Sequence, residues 1–315
     1  MDKCPDLLPD HFSFVQGIVD TPDVSLNISR EMLQHDRQLK VIANNIEKKI
    51  KSELVKLMKD DREKYQQFWT AFGMQFKYAL MNAYGQNRDT IRDLLLFWSS
   101  KENKLTSLKE YVDRMPESQE KIYYVCADSV EHASKMPQAE RVLKAGYEVL
   151  YLTVDEDEIV LQMLENAYDK PFVSVASEDA LPVTDAEKAS VEQAEKDHKA
   201  LLDFAQETLK GEVSKVRISK ILQSGAVCLT AEGPVSLEME KYFRKMRRDF
   251  PMSAQRVLEL NPDAPAFQAL CKAYEEDKEK AAAYVEELYN QDLIIEGLPL
   301  PDPARYAELV CGLMK

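Results

Sequence analysis

Glycine is scarce in this chain, with nine residues in 315. A loop that cradles phosphate needs glycine where backbone must approach the anion, and neither G-x-x-x-x-G-K-[ST] nor G-x-G-x-x-G occurs. A nucleotide is therefore not held here by either device. Cysteine and histidine are equally thin. Cys4, Cys126, Cys228, Cys271 and Cys311 stand singly, and His11, His35, His132 and His198 are scattered away from them. With no C-x-x-C pair and no His at ligand spacing, a zinc site lacks its donors, and no other metal is expected. The odd, dispersed thiols read as reduced cysteines of a cytoplasmic protein. Long apolar runs are missing too: Leu94-Leu95-Leu96-Phe97-Trp98, the densest, is far short of a bilayer span, and no signal peptide is visible. Positive charge is in deficit. Lys and Arg number 41 against 55 Asp and Glu, a net charge of −14, so no basic face is available to displace counterions from nucleic acid.

What is present is apolar material in helical register. Hydrophobic residues make up 45% of the chain and charged ones 30%, enough for two or three domains with their own cores. Residues 1–28 hold short apolar pieces, among them Phe12-Ser13-Phe14-Val15, without partners for a core; they are expected to be the remnant of a larger domain. From Ser29 to about Met58, Leu39, Ile42, Ile46, Ile50, Leu54 and Leu57 recur every three or four residues, the mark of one long amphipathic helix. A second helix spans about Asp61 to Tyr84 and carries Tyr65, Phe68, Trp69, Phe72, Phe76 and Leu80, an aromatic stripe read as packing between helices. A third is expected over Asn87 to Trp98. Together, 29–104 read as a connecting helical coil.

At Leu105 the pattern changes. A short helix from Thr106 leads to the strand Lys121–Cys126, a helix Ser129 to Ala145 stopped by Gly146, the strand Tyr147–Leu152, a helix Asp155 to Tyr168, and the strand Phe172–Val175. Strand and helix in alternation predict a small αβα sandwich with a parallel sheet, spanning 105–200. Its first strand-to-helix turn, Ala127-Asp128-Ser129, is not glycine-rich, so the domain is read as structural. The acidic stretch 176–200 reads as a solvated linker turning into a helix that carries Leu201, Leu202, Phe204, Ala205 and Leu209. Residues 201–315 form a mixed α/β C-terminal domain. It has β-like runs at Val213–Ile218 and Ala226–Thr230, then a helix Ser236 to Arg248 with Leu237, Met239, Tyr242, Phe243 and Met246. Arg256-Val257-Leu258-Glu259-Leu260-Asn261-Pro262 follows, then helices over Ala264–Tyr274, Lys280–Glu296 and Pro303–Met314. The last two are so apolar that a homodimer through Leu288, Leu293, Ile294, Leu309, Val310 and Leu313 is the expected outlet. The fold class expected overall is mixed α+β and α/β.

One cation stands against local preference. Ser29 is a good N-cap, which puts Arg30 in a first helical turn, where the helix dipole disfavours positive charge. Its side chain either pairs with a nearby carboxylate or offers a fixed guanidinium to phosphate.

The run Leu7-Leu8-Pro9, Phe14-Val15-Gln16-Gly17-Ile18-Val19-Asp20, and Leu26-Asn27-Ile28-Ser29-Arg30-Glu31-Met32-Leu33-Gln34 closely resembles the middle domain of the heat-shock protein 90 chaperones. So do Gln86-Asn87-Arg88, Ser107-Leu108-Lys109-Glu110-Tyr111-Val112-Asp113-Arg114-Met115 and Lys121-Ile122-Tyr123-Tyr124. Glu259-Leu260-Asn261-Pro262 is similar to the C-terminal domain of the same family. The last residues do not match the acidic Glu-Glu-Val-Asp tail of its eukaryotic cytosolic members, which points to a bacterial, HtpG-type member. The resemblance implies that the ATP-binding domain, with its ATP and Mg, lies outside this chain, which alone should be inert as an ATPase. It implies that Arg30, with Gln34 one turn on, swings toward the ATP γ-phosphate when the domains of the intact protein close. It also implies that unfolded or partly folded client proteins are held near Glu158, Ile159 and Gln162, and near Val235, Met239, Tyr242 and Phe243. Tyr242 and Phe243 are expected to be exposed, and Ile159 stands where bacterial members often carry Trp. The alternative is a non-catalytic dimeric scaffold for protein interactions. A free-standing enzyme is disfavoured, because no His, Cys or Ser sits in a recognisable nucleophile arrangement.

Overall fold

The computed structural model describes residues 7–20, 37–246 and 253–312. The chain divides into two compact units. The first comprises Met1–Phe97, Leu105–Asp113 and Ile159–Asp169; the second comprises Trp98–Lys104, Arg114–Glu158 and Lys170–Lys315.

The first unit is built on two long helices, α1 (Arg37–Asp60) and α2 (Arg62–Asn82). Asp61 separates them and caps the second, its carboxylate accepting the Lys64 N–H at 3.1 Å. α1 buries Leu39, Leu54 and Met58 along the periodic stripe. The aromatic stripe of α2 is packing, as its spacing suggests: Tyr65 and Phe76 are fully buried. Phe14 meets Phe72 and Phe68 with ring centroids 4.8 and 5.0 Å apart, and Phe12 meets Phe76 edge-on at 5.9 Å. Thus the apolar pieces near the start of the chain find their partners on α2. The Tyr65 hydroxyl donates to the Leu94 carbonyl at 2.6 Å.

Beyond α2 the expected third helix is corrected. The chain makes one short helical turn, α3 (Arg88–Ile91), a 3-10 turn Arg92–Leu94, and then strand β1 (Leu96–Ser99). A run apolar on every side fits a buried helix or a buried strand equally well; pairing decides, and Trp98 lies opposite Tyr151. β2 (Lys104–Ser107), α4 (Leu108–Arg114) and β3 (Ile122–Cys126) follow. The helix expected over 129–145 is broken in two, α5 (Val130–Ala133) and α6 (Glu140–Lys144). Pro137 is the cause, since the residue before a proline is pushed out of helical geometry and Met136 is extended. Next come β4 (Val149–Leu152), α7 (Asp157–Leu164), β5 (Asn166–Ala167) and β6 (Lys170–Ser174). α7 stops short of Tyr168 because Glu165 takes a left-handed φ of 64°.

In the second unit β3 runs parallel to both β4 and β6, with Tyr123 opposite Val149 and Ile122 opposite Phe172, while β1 joins β4 antiparallel. Tyr123, Val125, Val149 and Tyr151 pack on Ala133, Met136 and Val142 from the covering helices. The acidic stretch is more ordered than a linker. Thr184 and Glu187 form a reciprocal capping box that starts α8 (Asp185–Asp197), a helix with no buried residue. α9 (Lys199–Thr208) then turns its leucines inward.

The remaining elements are β7 (Lys215–Ile218), β8 (Val227–Glu232), α10 (Leu237–Met246), β9 (Gln255–Leu260), α11 (Pro265–Glu276), α12 (Lys278–Ile295) and α13 (Pro303–Gly312). β9 is the middle strand of three, parallel to β7 and antiparallel to β8. Leu201, Leu202, Phe267, Leu270, Val285, Leu288 and Leu293 from the helices bury its apolar residues. Glu259 lies inside this sheet and is satisfied there. It accepts from Arg217 at 2.6 Å, Ser219 at 2.8 Å and Thr230 at 3.0 Å. The fold is mixed α/β, and among the described residues no helix is long and apolar enough to cross a membrane.

Candidate functional site

α10 is the element on which a binding face can be built from the residues upward. Ser236 starts it, its hydroxyl accepting the Met239 N–H at 3.1 Å. The same hydroxyl donates to the buried carboxylate of Glu158, which also accepts from the Tyr124 hydroxyl at 3.1 Å. Burial pushes the Glu158 carboxyl up, and Ser236 opposes that shift by hydrogen bonding to the charged form. One side of α10 is fixed by Glu240, which is fully buried. Its carboxylate accepts from Arg256 at 2.7 Å and from the Ala254 N–H at 2.9 Å. Arg256 in turn donates to the Tyr289 hydroxyl at 2.9 Å, so α10 is tied to β9 and α12 by a buried charge-assisted chain. Lys241 donates to the Glu296 carbonyl at 2.7 Å and pairs with Glu238. Burial works against its charge, but the carboxylate of Glu238 outweighs burial and raises its pKa.

The other side of the helix is apolar, and of its residues Met239 packs against the core of the second unit. Met239, Tyr242, Phe243 and Met246 fall at i, i+3, i+4 and i+7, a single stripe. Met239, Tyr242 and Phe243 are half-buried and Met246 is 67% exposed. The Tyr242 and Phe243 rings meet edge-on with centroids 5.7 Å apart. The expectation of two exposed aromatics is thus corrected to two half-buried ones, each ring packed against the other. Met246 was not among the expected contacts, yet it completes the stripe; its spacing of seven from Met239 was the available signal.

The other expected residues fall in several environments. Val235 belongs to the core of the second unit and presents no surface. Glu158 and Ile159 are buried, and Gln162 is exposed. Ile159 and Gln162 lie in the first unit, and Glu158 lies with α10 in the second. Of the expected dimer residues, Leu288 and Leu293 are also core, since α12 lies against β8 and α9. Leu309 is buried, Val310 half-buried and Ile294 48% exposed. The apolarity of α12 is therefore largely spent within its own chain, whereas α13 buries Leu309 alone. Arg30, Gln34 and Leu313 lie outside the described residues. Among the described residues, no group of three His, Cys, Asp or Glu is placed to hold a metal ion.

The chain matches the model of the Hsp90 protein family over residues 1–315. It is 52% identical over 314 residues to the chaperone protein HtpG of Bacillus subtilis (strain 168) and 51% identical over 314 residues to that of Oceanobacillus iheyensis. It is 49% identical over 316 residues to the chaperone protein HtpG of Clostridium botulinum (strain Langeland). Each alignment covers 100% of this chain and 50% of the relative. The chain thus spans about half the length of the curated relatives it matches.

Proposed function

Because the chain belongs to the Hsp90 protein family, we propose that it forms the client-holding and dimerising part of a molecular chaperone. The observation that supports this best is α10: an apolar stripe of two methionines and two aromatics, half-buried to exposed, on a helix whose opposite side is locked by Glu240. Methionine adapts to irregular surfaces and aromatic rings supply large contact area at low entropic cost, so the stripe suits many unfolded sequences rather than one. Held rigidly, it loses little freedom on binding. Dimerisation is assigned to α13, whose described residues other than Leu309 are half-buried or exposed. In the whole protein, Arg30 with Gln34 beside it offers a permanently charged fork to the γ-phosphate of ATP held by an N-terminal ATPase domain of the same protein, which carries the Mg as well.

The test uses reduced, carboxymethylated α-lactalbumin as a permanently unfolded probe. Each ring buried on binding contributes on the order of 1 kcal/mol or more, so Tyr242→Ser with Phe243→Ser is expected to weaken binding by about tenfold or more. Glu131→Gln, at an exposed position elsewhere, is the control and should leave affinity unchanged. Affinity unchanged in the double variant would return both rings to a purely structural role.

A further inference from the structure

The first unit holds a charged network that client binding and dimerisation leave unused. Lys51 on α1 lies 2.6 Å from the Asp93 carboxylate and also donates to the Asp89 carbonyl. The other oxygen of Asp93 accepts the Tyr168 hydroxyl at 2.6 Å and the Arg92 Nε–H at 3.3 Å. The Tyr168 ring then lies under two cations, with the Arg92 guanidinium carbon 4.5 Å and the Lys109 Nζ 5.6 Å from its centroid. Nearby, Arg88 pairs with Glu165 at 2.7 Å. The backbone here is left-handed at three positions, one just past α7 and two in the turn that joins β5 to β6. Glu165, Tyr168 and Asp169 have φ of 64°, 52° and 63°, three left-handed non-glycine residues within five positions. Away from supporting contacts, each such residue with a full side chain is disfavoured by about 5- to 30-fold. Just upstream, the loop after α2 touches the last turn of α7 so closely that a Cβ on Gly85 would sit 2.4 Å from the Met163 carbonyl oxygen.

Strain of this kind persists only where surrounding contacts over-determine it. Here the contacts are the pairing of β5 with β6 on either side of the turn, the Arg88–Glu165 ion pair and the side chain of Tyr168. We propose that Tyr168 is a positioning residue, a pin through which α1 holds the end of α7, with Glu165–Asp169 as a strap that is either pinned and strained or released and relaxed. The inference rests on the reading above in taking Arg30, which precedes α1, as the residue that meets nucleotide, and on the expected client contacts of α7, Ile159, which is buried, and Gln162, which is exposed. A push on α1 that separates Lys51 from Asp93 weakens the acceptor of the Tyr168 hydroxyl, and the strap relaxes. Charge supports the same order of events: burial would raise the Asp93 carboxyl, but Lys51 and Tyr168 outweigh it and hold it below its usual value. The acceptor is thus an ionised group dependent on both partners.

Hydrogen exchange read by mass spectrometry on the 315-residue chain tests this. Lys51→Met and Tyr168→Phe should each speed exchange of the 159–169 amides about fivefold or more, leaving the α11 and α12 amides unchanged. The double variant should go no further than either single one, as expected for members of one chain. Tyr168→Asn is the discriminating variant, since Asn tolerates left-handed backbone but cannot act as the pin. It should speed 159–164 exchange while the thermal midpoint stays level or rises. A purely structural tyrosine would lower the midpoint in step with exchange, and that result overturns the proposal. So do two others: Lys51→Met acting only within α1 and α3, or acting uniformly across the first unit. Binding of carboxymethylated α-lactalbumin to the same variants is read separately. If exchange behaves as stated and affinity does not move, the pin stands and the client role of α7 falls.

Discussion

Buried carboxylates carry much of the information in this molecule, and their partners divide them into two kinds. Glu259 and Glu240 are fully buried but receive an Arg and further donors each, the arrangement that makes an interior charge tolerable. Glu296 and Asp292 are different. Glu296 accepts from Gln138 at 2.7 Å, but burial and the neighbouring Asp292 push its carboxyl up to about 8. Lys241 opposes the shift and Glu238 adds to it. Asp292 is held well above the usual carboxylate range, chiefly by burial, with Glu259 adding to the rise. A group whose pKa is raised on folding favours the folded state fully below its unfolded pKa, and that contribution is lost as pH rises through the folded value. For Glu296 the window runs from about 4.5 to about 8. Glu296→Gln mimics the protonated acid and has nothing to ionise. It should leave urea stability nearly unchanged at pH 5 and raise it at pH 8.5 by about 1–3 kcal/mol. An equal effect at both pH values would mean that Glu296 is ionised in the native state. The sequence shows Glu259 as part of a family motif. It could not show that Glu296 and Asp292, one helical turn apart, would both be turned inward.

At the scale of elements, periodicity was a good guide wherever one face met water. α1, α2, α9 and α11 follow their apolar stripes, and Gly146, with φ of 82°, stops α6 as its position suggests. The pattern was silent where burial is complete. Leu94–Trp98 is apolar on all sides and became turn and strand, and Pro137 divided a helix that periodicity alone would have continued. The same ambiguity affects the interface. Apolar side chains are needed equally for a subunit core and for a partner, so Leu288 and Leu293 looked like dimer residues and proved to be core. α13 is the better candidate because its surface is open: Tyr306 and Val310 are half-buried, four residues apart, and Ala307 and Cys311 beside them are exposed. Introducing charge there should separate a dimer without unfolding a subunit. Tyr306→Glu with Val310→Glu is expected to shift sedimentation from dimer to monomer at micromolar concentration, with the helical circular dichroism retained. The matching change at Ile294, Ile294→Glu, tests α12. If it alone dissociates the dimer, the interface lies on α12 after all.

The whole molecule is acidic and built of two units. Its most informative cation by sequence, Arg30, lies outside the described residues. The role proposed for it is therefore legible from its motif and not from geometry. The helical dipole argument leaves Arg30 two readings, a surface ion pair or a phosphate contact, and the proposed function takes the second. A hybrid separates them. Joining this chain to the remaining half of the Bacillus subtilis relative should yield ATP turnover, whereas the chain alone should show none. Arg30→Ala in the hybrid should then lower turnover by about 100-fold or more, the scale at which removal of a single donor to developing phosphoryl charge is felt. Nucleotide affinity should change far less, because a contact formed only as the domains close acts on the transition state and not on the initial complex. A parallel fall in affinity would place Arg30 in ground-state binding. Turnover indifferent to Arg30 would leave it a surface cation, and the chain would act as a dimeric platform whose α10 stripe does its work without reading the nucleotide.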